Sequence, residues 1–84
     1  MTIKTFHLDT EQDRIARQII EENKRNIGRF HCEESTNMLE DWIVDAYAND
    51  ELEYHKFLQD AFKAKATIYT LFDDWQPIGE VVVY

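Results

Sequence analysis

Residues that could carry out chemistry together occur at two places in the chain. The first is the run His31-Cys32-Glu33-Glu34, which combines a base, a nucleophile and two acids. A Cys–His pair catalyses only if the two side chains meet in space and the thiolate is stabilised, whereas neighbours in sequence usually point apart. The two glutamates would also raise the thiol pKa. The run therefore favours a half-buried cysteine in a connecting segment over a catalytic site.

The second place is the pair Glu51 and His55, whose i,i+4 spacing would let both side chains share a metal ion. Two ligands do not complete a site, and His7 and His31 are distant in sequence. The chain has no P-loop, G-x-G-x-x-G, G-x-S-x-G or H-E-x-x-H pattern, and no C-x-x-C spacing. We therefore predict a protein that is not an enzyme and that holds neither a metal nor another cofactor.

Length and composition predict one compact domain over residues 1–84. The chain has 44% hydrophobic residues, with only two glycines and one proline, so it has material for a core and little loop or disorder signal. Cys32 is the single cysteine, which favours a reducing compartment. The first residues lack the apolar segment of a signal peptide, and no apolar run approaches the ~20 residues that span a bilayer. These features predict a cytoplasmic protein.

The net charge of −8 is concentrated in the middle of the chain. Residues 31–60 carry nine acids and a single base, Lys56, while both flanking segments are nearly balanced. Direct nucleic-acid binding relies on Lys and Arg to displace counterions from phosphates, and anionic membranes repel acidic proteins. The charge therefore disfavours both nucleic acid and membrane as direct partners.

Hydrophobic periodicity and capping signals predict three helices between β segments, and Asp9 with Gln12 three residues later is a capping-box signature at the start of the first helix. Gly28 is the predicted stop of the first helix, and residues 29–34 are interpreted as a connector that could hold a strand fragment. The predicted elements are a strand at 2–8, helices at about 10–27, from 35, 36 or 37 to about 49 and from about 50 to 64, and hairpin strands at 66–72 and 80–84.

This order, β-α-α-α-β-β, predicts an α+β fold in a single small domain. The three helices would pack on one face of a two- or three-stranded antiparallel sheet that ends in a C-terminal hairpin. The second helix would bury Trp42, Ile43, Ala46 and Tyr47.

The outward face of the second helix carries acids that helix electrostatics does not explain. Glu40, Asp41 and Asp45 lie around Val44 on that face, and residues 33–49 contain no Lys or Arg. Asp41 and Asp45 are like charges at i,i+4, which destabilises a helix slightly. By contrast, Asp50, Glu51 and Glu53 are interpreted as cap and first-turn acids of the third helix. A solvated face that aids solubility is the alternative reading of the acids on the second helix.

The connection between the hairpin strands adds Asp73, Asp74 and Trp75 as candidate partner-binding residues. A large aromatic in a turn could anchor a partner, or it could fold back over the sheet to close the core. The sequence leaves these two readings open.

Two function classes follow. The leading hypothesis is a non-catalytic protein that docks its acidic helix face on a basic protein surface, in its concrete form a DNA-mimic inhibitor of restriction, CRISPR or polymerase machinery such as phages and mobile elements encode. The alternative is a structural or adaptor domain that acts through apolar contacts, as a homodimer paired through the edge of its C-terminal strand.

Overall fold

In the computed structural model of the protein, residues 1–35 and 39–84 are described, and they form three helices and four strands. Their Cα radius of gyration is 12.3 Å, close to the roughly 12 Å expected of one compact domain of this length. The elements are β1 (Ile3–Phe6), α1 (Thr10–Glu21), β2 (Phe30–Glu34), α2 (Leu39–Ala48), α3 (Leu52–Lys63), β3 (Thr67–Asp73) and β4 (Gln76–Val83).

The strands form one antiparallel sheet in the order β1-β4-β3-β2. The α+β class and the C-terminal hairpin, β3–β4, are thereby confirmed. The sheet of the described residues gains a fourth strand, because the predicted connector is β2, which pairs Cys32 with Leu71 of β3. The glutamates of β2 lower its β-strand propensity, so the sequence predicted only a connector with a possible strand fragment. An outer strand of a sheet tolerates such polar residues.

The helices lie on both faces of the sheet, as two neighbouring residues of β4 show. Val81 and Val82 are both fully buried, and consecutive strand residues point to opposite faces. Val81 packs in one cluster with Ile15 and Ile19 of α1. Val82 packs in another with Leu58 of α3. The sheet is therefore the middle layer between α1 on one side and the α2–α3 pair on the other.

This arrangement differs from the prediction of three helices on one face. Four strands about 4.8 Å apart give a sheet about 14 Å wide, whereas three helices about 10 Å apart need about 20 Å. One helix must therefore use the other face. The consecutive valines Val81–Val83 were the sequence signal for a strand buried on both faces.

The position of β4 in the sheet also determines whether the predicted dimer contact through its edge can form. β4 is hydrogen-bonded to β1 on one side and to β3 on the other, so it has no free edge. The prediction of a homodimer through the edge of the C-terminal strand is therefore wrong. The outer strands of the sheet are β1 and β2.

Each described helix ends in the same hydrogen-bonded turn, without glycine. After α1, Asn23 adopts φ 51° and the Lys24 N–H donates to the Ile19 carbonyl at 2.9 Å, which is a Schellman motif. Asp50 after α2 and Lys65 after α3 occupy the equivalent left-handed position. The first helix is therefore shorter than predicted, and Gly28 lies in the following turn at φ 57°.

Helix beginnings match the prediction at one place and differ at another. At α1 the Asp9 side chain accepts from the Gln12 N–H at 2.8 Å, and the Gln12 side chain accepts from the Asp9 N–H at 3.1 Å, so the capping box is confirmed. At α3 the N-cap is Glu51 and has no side-chain cap bond, because Asp50 belongs to the end of α2. Of the predicted caps of α2, Thr36 and Asn37 lie outside the described residues, whereas the Ser35 hydroxyl lies 3.2 Å from the Thr70 hydroxyl of β3.

Candidate functional site

The predicted acidic residues of α2 face solvent. Glu40, Asp41, Val44 and Asp45 are all exposed, and we call this set the acidic face. Val44 is 61% exposed although it is a β-branched aliphatic residue. The helix turns these residues outward because Trp42, Ile43 and Ala46 pack against α3 and the sheet.

The flanks of the acidic face differ in character. On one side Asp45 borders a cleft together with Trp42 and Asn49. On the other side Tyr47, predicted to be buried, is 66% exposed and rests on His55 of α3 with ring centroids 5.3 Å apart. Its position on the wheel lies beside the α2–α3 contact rather than inside it, so most of the ring stays exposed. Tyr47 thus adds a second exposed apolar group next to Val44.

The cleft beside Asp45 gathers acids from three elements. It has a volume of about 240 Å³, and Asp45 of α2, Glu51 before α3 and Glu80 of β4 all line it. Glu80 is held from two sides: the Tyr54 hydroxyl donates to its Oε1 at 2.8 Å, and His7 Nδ1 lies 3.0 Å from its Oε2. This cleft extends the negative surface beyond α2.

The Tyr54–Glu80–His7 cluster could not be found from sequence, because His7 and Glu80 are 73 residues apart in the chain. Burial, together with the negative charges of Glu80 and Glu51, raises the pKa of Tyr54 well above its ordinary value. Tyr54 therefore stays a hydrogen-bond donor to Glu80 at physiological pH and fixes that carboxylate in place. The cluster ties β1, α3 and β4 together beneath the cleft.

The turn between β3 and β4 answers the question about Trp75. Asp74 and Trp75 adopt φ 51° and 70°, the left-handed conformations of a tight hairpin turn, and Trp75 is 77% exposed. It does not fold back into the core. Asp73 is half-buried and paired with Arg29 at 2.7 Å between Arg29 Nε and Asp73 Oδ1, so its charge is already matched.

Trp75 borders a cavity of about 310 Å³ beside the α1–β2 connection, which we call the turn cavity. It shares no lining residue with the cleft beside Asp45. The structure thus separates the predicted partner-binding residues into two groups, α2 and the hairpin turn. The charged and aromatic residues that line the turn cavity are Arg25, Arg29, Phe30, His31, Asp74 and Trp75.

The two clusters of chemistry-bearing residues do not assemble into sites. His31 and Cys32 are neighbours in β2, so their side chains point to opposite faces of the sheet. Cys32 packs against the core beneath α1, whereas His31 stacks on Phe72. Among residues 1–35 and 39–84, no group of three His, Cys, Asp or Glu side chains is arranged to hold a metal ion.

Burial raises the pKa of the Cys32 thiol from an ordinary value of 9.0 to about 11. Because the thiolate is the reacting species, we expect Cys32 in the folded protein to react with Ellman's reagent about 100-fold more slowly at pH 8 than in the denatured chain. Stopped-flow absorbance in buffer and in denaturant measures both rates, with free cysteine correcting for the denaturant. Equal corrected rates would contradict the burial of this thiol.

Comparisons with known protein families, with curated proteins and with solved structures found no match. In the described part of the chain, none of the helices combines the length and apolar character needed to cross a membrane.

Proposed function

We propose that the protein is a non-catalytic binding protein that docks the acidic face of α2 on a basic surface of another protein. The observation that carries this proposal is an exposed helix face with three carboxylates and no base on the same helix. Natural surfaces usually mix both signs, so an unrelieved face of one sign is suited to steering a partner of opposite charge.

The charge layout on α2 is unfavourable only toward the end of the helix. Glu40 and Asp41 lie in the first turn of α2, where the helix dipole favours carboxylates, so the prediction that helix electrostatics does not explain them is wrong for these two acids. Asp41 and Asp45 are one turn apart, and Asp45 lies near the negative end of the helix dipole. Neither acid is relieved by a lysine or arginine on α2, whose last turn has no basic residue. A basic partner would convert this unfavourable arrangement into attraction, which gives binding a source of free energy beyond contact area.

Exposed apolar groups beside the acids supply the rest of a binding surface. Val44 and Tyr47 lie among carboxylates, as expected of an interface with an apolar centre and a charged rim. Tyrosine is enriched among residues that dominate binding energy. The surface therefore suits a protein partner whose basic residues surround an apolar contact.

Basic surfaces of this kind belong most often to proteins that handle nucleic acid. The concrete form of the proposal is a DNA-mimic inhibitor, of the type phages and mobile elements encode, in which carboxylates of α2 take the place of phosphates. The acids of the neighbouring cleft, Glu51 and Glu80, extend the negative surface on the Asp45 side.

Conversion of Glu40, Asp41 and Asp45 to their amides tests the proposal. We expect the wild-type protein to retain a basic partner from a lysate of its source at 50 mM salt and to release it at 500 mM. The triple amide variant should bind that purified partner at least tenfold more weakly at low salt, because rim charges govern steering and salt dependence. Surface plasmon resonance over a salt series measures both effects.

A matched control changes Glu11, Glu21 and Glu22 of the α1 region to glutamine, which alters the net charge equally on a different surface. This control should retain the wild-type affinity. Affinity that is independent of salt, or equal losses in both variants, would contradict docking through the acidic face.

A further inference from the structure

Neither burial nor backbone conformation explains the tryptophan at position 75. The left-handed turn position favours glycine or asparagine, and Trp75 holds it at φ 70° with 77% of its surface exposed. A bulky residue there costs stability, and its ring contributes little to the core. Such strain persists where a residue has a function to perform.

The surroundings of Trp75 form an aromatic wall. His31 stacks on Phe72 with parallel rings and centroids 4.9 Å apart, and the Trp75 ring lies 4.8 Å from His31 at 56°. Phe30 points to the other face of the sheet and lines the cavity beside Arg29 rather than as part of this wall. A planar aromatic ligand can stack against this wall, with Trp75 providing the largest exposed surface.

Two arginines line the cavity, although the net charge of the protein is −8. Arg25 and Arg29 both line it, and the exposed Arg25 has no carboxylate within ion-pair distance among the described residues. Asp73 and the Phe30 ring hold the Arg29 guanidinium in place, the ring centroid lying 5.3 Å from it. Asp74 also lines the cavity and is exposed, and its backbone N–H donates to the Arg29 carbonyl at 3.0 Å, so it lies next to Arg29. The cavity thus offers guanidinium donors for an anion and, beside Arg29, a carboxylate acceptor.

We infer that the turn cavity binds a nucleoside phosphate. The base stacks on Trp75, the phosphate is held by Arg25 and Arg29, and Asp74 accepts a hydrogen bond from a ribose hydroxyl or a base amino group. Arginine and exposed aromatic rings are the groups that bind phosphates and bases in proteins. This site is separate from the acidic face of α2 and does not depend on its function.

Size and charge favour a free mononucleotide over a nucleic-acid strand. The cavity volume of about 310 Å³ lies at the lower end of the roughly 300–1,000 Å³ of small-molecule pockets. A strand would extend past the cavity along a protein with net charge −8, where further phosphates are repelled. A single nucleotide stays within the cavity, where its phosphate meets the two arginines.

Isothermal titration calorimetry with AMP, adenosine and an eight-nucleotide single-stranded DNA tests the assignment. We expect saturable AMP binding with a Kd below about 1 mM, and quenching of Trp75 fluorescence as the base stacks on the ring. Adenosine should bind at least tenfold more weakly than AMP because it lacks the phosphate. The oligonucleotide should bind no more tightly than AMP.

Two variants connect binding to the cavity. Trp75→Gly should weaken AMP binding at least tenfold while its thermal midpoint equals or exceeds that of the wild type, since glycine accepts φ 70° without strain. Arg25→Gln should weaken binding about tenfold. Its control is Arg14→Gln, which removes an exposed charge on α1 outside the cavity and should leave AMP affinity unchanged.

Absence of saturation at 5 mM AMP would overturn the inference. So would AMP binding that is unaffected by Trp75→Gly, or equal affinity for adenosine and AMP. Oligonucleotide binding more than tenfold tighter than AMP would assign the cavity to a strand instead. The inference would also be overturned if the wild type bound no AMP while Trp75→Gly lost its binding to the protein partner. Trp75 would then be a residue that anchors a protein partner, as the sequence analysis considered.

Discussion

Replacing Gly79 with alanine is expected to destabilise the domain by about 3 kcal/mol, a large share of the roughly 4–13 kcal/mol available to a chain of this length. Gly79 is buried in the central strand β4. A Cβ there would lie 2.6 Å from the Phe6 carbonyl oxygen and would also clash with the Leu8 side chain. The carbonyl is backbone at the end of β1, so it can retreat only by disturbing the β1–β4 pairing.

Urea denaturation followed by circular dichroism measures this loss, and Gly28→Ala is its matched control. A Cβ at Gly28 meets no atom within 4 Å, and only its φ of 57° opposes the substitution. The control should therefore lose about 1 kcal/mol. Equal losses at the two glycines would show that the close approach of β4 to the β1–α1 connection is absent in solution.

The second large effect is expected from a charge placed on either face of β4. Val81→Asp and Val82→Asp should each remove most of the folding free energy, because each buries an unpaired carboxylate beneath a helix layer. Helices on one face only would leave one of the two positions exposed and tolerant. The pair of variants therefore tests the three-layer arrangement directly.

Thermal unfolding by calorimetry distinguishes the outcomes, with Val44→Asp as the control for adding a carboxylate at a valine. Val44 is exposed on α2, so its variant should lose no more than about 1 kcal/mol, the loss expected from repulsion by Glu40 and Asp41 one turn away. A Val81 or Val82 variant as stable as this control would contradict burial of that face.

The sequence predicted those parts of the fold that a single short pattern of residues determines. The capping box of Asp9 and Gln12 and the β-branched strands of the hairpin are such patterns, and both are present. The C-terminal ends of the helices were harder to predict, because Asn23, Asp50 and Lys65 adopt the left-handed conformation that glycine usually adopts at helix ends. Their φ angles are set by the hydrogen bonds of the turn rather than by residue type.

Tertiary features were beyond local patterns. The exposure of Asp41 and Asp45 follows from helical periodicity, so the acidic face could be predicted. The contacts of Glu80 with Tyr54 and His7 arise only when β1, α3 and β4 meet. The exposure of Trp75 depends on a two-residue turn with positive φ at Asp74 and Trp75, and the sequence "DDWQPIG" does not predict that geometry.

The central position of β4 also bears on the order in which the protein can fold. β4 is the last of the four strands along the chain, yet it lies between β1 and β3, and its pairing of Ile3 with Val83 closes nearly the whole described chain into one loop. Loop-closure entropy and high contact order make such a step slow. A nascent chain without Gln76–Val83 could pair β2 with β3 but would have no strand to join β1 to them, so the complete sheet is expected to assemble only after this segment has left the ribosome.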